Sequence, residues 1–152
     1  MTVSKPRLRP AARRVHAFAA ALLAAACCPA AAQVPPGPPE LAAYAGLHAA
    51  AARGDAAEIA RLAAAGAAPD ARDAHGRTPL HVAAFFARHG AMRALVAAGA
   101  DPRALEADRY DTATIAAVRD DAATLRLALA SGADPRAITS RYDGTALIAA
   151  AH

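Results

Sequence analysis

Glycine and proline recur along this chain at a fixed interval. Gly66, Gly99 and Gly132 stand 33 residues apart, each followed by an alanine (Ala67, Ala100, Ala133). Pro69, Pro102 and Pro135 repeat at the same interval, as do Ala71, Ala104 and Ala137. Upstream, His48 pairs with His81 and Leu62 with Leu95 at the same spacing. The chain has nine glycines and eleven prolines, so its heavy alanine bias does not supply the coincidence. A period of this length marks a solenoid, in which each unit buries its apolar face only by stacking on its neighbours.

Within a unit the residue types dictate helices. Thr78 is a favourable N-cap, and Pro79 suits the first helical position, where no amide hydrogen is needed. A short helix through Val82, Ala83 and Ala84 is expected, then a turn around His89-Gly90 and a second helix carrying Met92, Leu95 and Val96. Gly99 ends that helix as the residue that adopts a left-handed conformation without steric cost. An extended loop from Asp101 leads to the next cap. About a third of the chain is alanine, 56% is apolar, and tryptophan is absent. That balance excludes a low-hydropathy disordered chain and favours closely approaching helices, since alanine is the best helix former. The 152 residues suffice for one domain.

At Thr78-Pro79-Leu80-His81-Val82-Ala83-Ala84 and Gly99-Ala100-Asp101 the chain resembles the ankyrin-repeat family. The resemblance implies an all-α fold: an ankyrin-repeat solenoid of helix-turn-helix units joined by extended hairpin loops. Repeats are expected at about 45–77, 78–110 and 111–144, with a partial unit at 145–152, in a domain spanning 40–152. The first keeps His48 and Gly66-Ala67 without a threonine-proline cap. The third has Asp111 as cap and Thr114 in place of the histidine. The fourth begins one residue late, at Asp143-Gly144-Thr145-Ala146-Leu147, and shows no polar capping face. It is read as a fragment of a longer solenoid.

The ends of the chain differ in charge. Lys5, Arg7, Arg9, Arg13 and Arg14 precede every acid, and an apolar stretch from Ala17 to Ala26 follows. Small residues Ala30-Ala31-Ala32 then stand before Gln33, completing the three parts of a secretory signal over 1–32, with cleavage after Ala32. The apolar run is about ten residues, short of the ~20 that span a bilayer. Arg13-Arg14 leaves a twin-arginine route open, and Leu23-Ala24-Ala25-Ala26-Cys27 leaves open a lipid anchor on Cys27, the single route to a membrane. Residues 33–39 form a proline-rich linker, and Pro39-Glu40 suits a first helical turn. From Gln33 onward there are twelve arginines, no lysine and thirteen acids, a net charge near −1. The basicity therefore belongs to the leader, and the clustered cationic face that nucleic-acid binding needs is missing. Both cysteines, Cys27 and Cys28, also precede the cleavage point, which excludes disulfides, cysteine nucleophiles and thiolate metal sites from the mature protein.

Residues suited to chemistry are few. The resemblance assigns His48 and His81 a structural role, bonding within their own repeat and toward the next loop. His75 and His89 lie in a loop and a turn, and their spacing with His81 fits no helical ligand pair. Asp120-Asp121 reads as a solvated turn, Ser131 and Ser140 have no nucleophile context, and no phosphate loop occurs. No catalytic, cofactor-binding or metal-binding residue, no cofactor and no small-molecule substrate is expected, and the chain is read as a non-enzyme. Thr78, Pro79, Leu80, His81, His48, Gly66, Gly99 and Gly132 form the structural repeat motif.

Binding is the remaining class. The resemblance implies a protein partner met by hairpin tips and the concave helix face. The expected contact residues are Arg77, Arg109, Tyr110, Arg141 and Tyr142 at the tips, where Arg-Tyr-Asp occurs twice, and Phe85 or Phe86 at the end of a first helix. The composition fits a high-GC bacterial genome, so the expected role is a periplasmic interaction scaffold. A truncated solenoid remnant is one alternative. Another is a non-catalytic subunit or regulator of an exported enzyme, since some exported members of the resembled family are associated with oxidative-stress enzymes such as catalase.

Overall fold

The computed structural model of the chain describes residues 34–139 and 143–151. The expectations for the leader over 1–32, for Cys27 and for Arg141 and Tyr142 lie outside the described residues.

Helix α1 (Pro38–Ala43) precedes three helix pairs: α2 (Gly46–Arg53) with α3 (Ala56–Ala64), α4 (Pro79–Phe85) with α5 (His89–Ala97), and α6 (Thr112–Val118) with α7 (Ala122–Ala130). Helix α8 (Ala146–Ala150) begins a fourth unit. The first helices stack in one row, α2 on α4 on α6 on α8, and α3 packs on α5 in a second row. Among the described residues there is no strand, and one isolated bridge joins Thr139 to Gly144. The all-α solenoid expectation therefore stands.

Sequence explains the two rows. Every residue of α4 is buried, as are Thr112 to Ala117 of α6, because each first helix is packed on both sides by its neighbours in the row. Alanine at Ala83, Ala84, Ala116 and Ala117 lets these backbones approach. The second helices bury one stripe each: Ile59 in α3, then Ala91, Met92 and Leu95 in α5. Each second helix ends alike. Ala100 N–H donates to Leu95 C=O and Gly99 N–H to Val96 C=O, both at 3.0 Å, with Gly99 at φ 93°. Gly66 and Gly132 repeat this at φ 87° and 109°, closing the otherwise unpaired last carbonyls.

The turn between helices falls earlier than the sequence suggests. It lies at Phe86–Arg88, and His89-Gly90 already belongs to α5. Its left-handed residue is Gly54 (φ 80°), Ala87 (φ 52°) or Asp120 (φ 54°), again 33 residues apart. Two of the three carry a side chain there, a strain on the order of 1 kcal/mol each. Helix α1 likewise starts two residues inside the segment read as linker, with proline in its first turn.

Packing thins along the solenoid. The main core runs from Leu47 and Ile59 through Leu80, Phe85, Met92 and Leu95 to Ile115. The next cluster consists of Ala113, Ala128 and Ala133, with Leu125 against it. Leu129 is partly exposed, and Leu147 and Ile148 of α8 are 81% and 51% exposed.

Urea unfolding of two alanine variants tests this gradient. Leu95→Ala empties a fully buried site and should cost about 2–5 kcal/mol. Leu129→Ala should stay within about 0.5–1 kcal/mol. Equal losses would mean the C-terminal pair is packed as tightly as the centre.

Candidate functional site

The repeat motif forms a buried polar lattice. Thr78 caps α4, and His81, fully buried three residues on, completes a reciprocal capping box. Thr78 N–H donates to His81 Nδ1 at 3.0 Å. That partner fixes the tautomer, so Nε2 carries the hydrogen and donates to Ala104 C=O at 2.9 Å and Tyr110 C=O at 3.2 Å. One imidazole thus joins its own helix start to the following loop. His48 makes the equivalent bond 33 residues earlier, from Nε2 to Arg77 C=O at 3.0 Å. In the third unit Thr114 replaces the ring, Asp111 accepts its N–H at 2.7 Å, and its hydroxyl bonds that of Thr139. Burial pulls the His81 imidazole down to about 4, against the upward pull of the two carbonyls.

The hairpin loops obey the same period. Asp73 N–H donates to Arg77 C=O and Glu106 N–H to Tyr110 C=O, each at 3.0 Å. Thr139 N–H donates to Gly144 C=O at 2.9 Å, one residue later in phase, which matches the late start of the fourth unit. Asp73 Oδ1 accepts the N–H groups of His75 and Arg77, both at 2.8 Å. Glu106 does the same for Asp108 and Tyr110. Adjacent tips are tied by Ala107 N–H on His75 C=O at 3.0 Å, and by Arg72, whose guanidinium donates to Gly76 C=O and Leu105 C=O.

Against this frame the expected contact residues separate. Arg77 is not at a free tip. It is 3% exposed, bonded by Nε to Asp73 at 2.9 Å and by Nη2 to Glu40 of α1. Tyr110 is also interior at 3% exposure, and Phe85 at 2% belongs to the core. The burials of Arg77 and Tyr110 correct the expectation that they stand exposed at the tips, and of the pair Phe85 or Phe86 it is Phe85 that packs in the core. The tip geometry draws Arg77 and Tyr110 inward because both sit at the closing position of their hairpins. Phe86 is half-buried, packed against the core and open on one side. Arg109 is exposed and pairs with Asp143 at 2.6 Å, a contact worth little in solvent. The histidines do not converge: His75 bonds Glu40 at 2.7 Å, His81 holds carbonyls, and His89 meets Thr124 of the next unit at 2.8 Å. His89, expected in a turn, is thus a tie between units. Asp121 caps α7 and holds the Thr124 hydroxyl at 2.6 Å, which with the Thr124 N–H keeps its carboxyl below the usual range.

Helix α1 is pinned onto the first hairpin. Glu40 accepts from Gly37 N–H at 2.6 Å and faces both His75 and Arg77. The Gly37 bond, then the Arg77 guanidinium, hold its carboxyl below the usual range against the upward pull of burial. Tyr44 donates to Asp73 Oδ2 at 2.7 Å. Burial, then that carboxylate partner, raises the phenol well above its usual range. Desolvation pushes Asp73 upward, but the bonds from Tyr44, Arg77 and His75 win and lower it.

Among the described residues, grooves border these elements at several places. One of about 320 Å³ lies over the pinned cluster, beside Glu40, Tyr44, His48 and Asp73. A second of about 230 Å³ runs between α7 and α8, beside Leu125, Leu129 and Leu147. A third, about 470 Å³, lies where α1 meets the ends of the first helices, beside Leu41, Tyr44, Ala52, Arg53, Phe86 and Arg88. Arg53 and Arg88 are absent from the sequence expectations. The repeat phase places Arg53 with Phe86 and Arg119, and places Arg88 at the second-helix cap, where its equivalents are Asp55 and Asp121.

A family model described as ankyrin repeats (3 copies) matches residues 22–106. Its first residues fall inside the segment read as leader. The units that follow it, α6 to α8, keep the same hydrogen-bond pattern. No curated protein matches the chain.

The His81 geometry has a sign that titration can read. An imidazole kept neutral by folding binds its proton in the unfolded chain first. Its stabilisation is complete above 6.5 and is lost as pH falls from there to about 4. Denaturant melts across this window should lose up to about 1.4 kcal/mol per pH unit from this group. In His81→Gln the slope should flatten by about one proton. An unchanged slope would place the proton-sensitive group elsewhere.

Proposed function

The chain belongs to the ankyrin-repeat family, and from that premise we propose that it is a non-catalytic interaction scaffold acting outside the cytoplasm, as an exported bacterial protein. Repeats of this family generally mediate protein–protein interaction. The single observation that carries the reading is the rigid row of first helices and tied hairpin loops. Thr78 and His81 bond each other at the helix start, His81 Nε2 bonds the following loop, and neighbouring tips are tied by backbone bonds, which supports a preorganised surface. Preorganisation lowers the ordering cost of binding. The export part rests on the leader over 1–32 and on a mature chain without thiols. The partner is a protein, with nucleic acid disfavoured by the near-neutral mature charge. Regulation of an exported enzyme is one form such binding would take.

Site-specific photo-cross-linking in cells tests the reading. A photoreactive residue in place of Arg53 or Arg109 should give discrete protein adducts in the periplasmic fraction. The same residue in place of Arg93 or Arg126, exposed on the second helices, should not. The protein recovered there should begin at Gln33. Adducts from none of the positions, or equally from all four, would contradict the scaffold. A cytoplasmic protein beginning at Met1 would contradict export.

A further inference from the structure

The grooves differ in how their charges are balanced. Over the pinned cluster the groove is lined by the carboxylates Glu40 and Asp73, which bond Arg77 and the His75 ring. The groove between α7 and α8 is bordered by Asp120 and Asp121. The groove of about 470 Å³ is different: its apolar wall is Leu41, Ala49, Ala52 and Phe86, its charged border is Arg53 and Arg88, and no carboxylate lines it. Among the described residues neither arginine has an ion-pair partner. Glu58, whose carboxylate senses the Arg53 charge, is held bidentately by Arg61 at 2.7 Å on both oxygens.

Arg88 is also held in place. Its Nε donates to Ala52 C=O at 3.2 Å, and its stem crosses the turn at Gly54, where an added Cβ would stand 3.0 Å from Arg88 Cδ. One donor of the guanidinium thus anchors it to the end of α2, and the side chain borders the groove. A carboxylate arriving there meets a cation whose side-chain entropy is already spent. Planar guanidinium favours carboxylate through paired, charge-assisted hydrogen bonds. Phe86 beside it offers an aromatic surface that is half covered by protein and half open, the kind of pocket that takes an apolar anchor.

From this juxtaposition the geometry points to an occupant: a partner-protein segment carrying an Asp or Glu side chain close to a large apolar side chain, the apolar group on Phe86 and Leu41 and the carboxylate between Arg53 and Arg88. The inference rests on the scaffold reading and sharpens it to one groove and one partner chemistry.

The test is selection from a random peptide library displayed by C-terminal fusion, so that carboxylates come from side chains, against the full chain. Enriched peptides should place Asp or Glu within a few positions of Leu, Ile or Phe. A synthetic peptide of the enriched sequence should bind about tenfold more weakly to Arg53→Glu and to Phe86→Ala, and should weaken as salt rises, since border charges are screened. Arg53 is exposed, so Arg53→Glu should melt as the wild type does, which separates loss of binding from loss of fold. Enrichment of neutral or basic sequences, no enrichment, or equal binding to Arg53→Glu would overturn the assignment. Cross-linked adducts at position 109 alongside such a failure would leave the scaffold standing with a different surface. Absence of adducts everywhere would remove the scaffold itself.

Discussion

A single neutral imidazole, buried between Thr78 and the carbonyls of Ala104 and Tyr110, joins the start of one unit to the loop of the next. The helices here are short, and isolated helices of this length are marginal in water. They persist because each unit is locked to its neighbour by bonds that would be costly to leave unmade in the interior. His48 provides the same link at the first junction, whereas the third unit substitutes a pair of hydroxyls. The strength of the joint therefore falls toward the C-terminal end, together with the size of the packed side chains. Both trends follow from residue choice: imidazole spans loop and helix, threonine reaches less far, and alanine buries little area.

The N-terminal end is closed differently. Helix α1 brings Glu40 onto His75 and Arg77, and Tyr44 onto Asp73, so the first hairpin is satisfied by a segment outside the repeats. This arrangement buries Arg77, while His75 stays largely exposed, and Arg53 and Arg88 further along have no ion-pair partner among the described residues.

Much of the architecture was legible in the sequence, because glycine and proline are rare and their phase is set by backbone geometry. Gly66, Gly99 and Gly132 end their helices where expected, and Thr78-Pro79 starts one. The extra residue before the fourth unit shows as a wider hairpin closure. The inter-helix turn was misplaced because its left-handed residue is Ala87 or Asp120 in two of the three units, and neither advertises that conformation. The candidate surface was less legible still. Arg77, Phe85 and Tyr110 looked like contact residues by type, yet their positions in the repeat point inward. Arg53 and Arg88 attract no notice by type; Arg53 shares its phase with Phe86, and Arg88 stands where the other units have the caps Asp55 and Asp121. A repeat fixes where a side chain points more firmly than composition fixes what it does.

The joint between units depends on His81 being a neutral ring that donates from Nε2 to the following loop. Nitrogen-15 NMR of the folded full chain, resolving the imidazole of His81, tests this most directly. The expected result at neutral pH is one tautomer with a hydrogen on Nε2, none on Nδ1, and an N–H resonance protected from exchange with water. An Nδ1–H tautomer, or a ring titrating near its ordinary value of 6.5, would contradict the structure of the joint on which the solenoid depends.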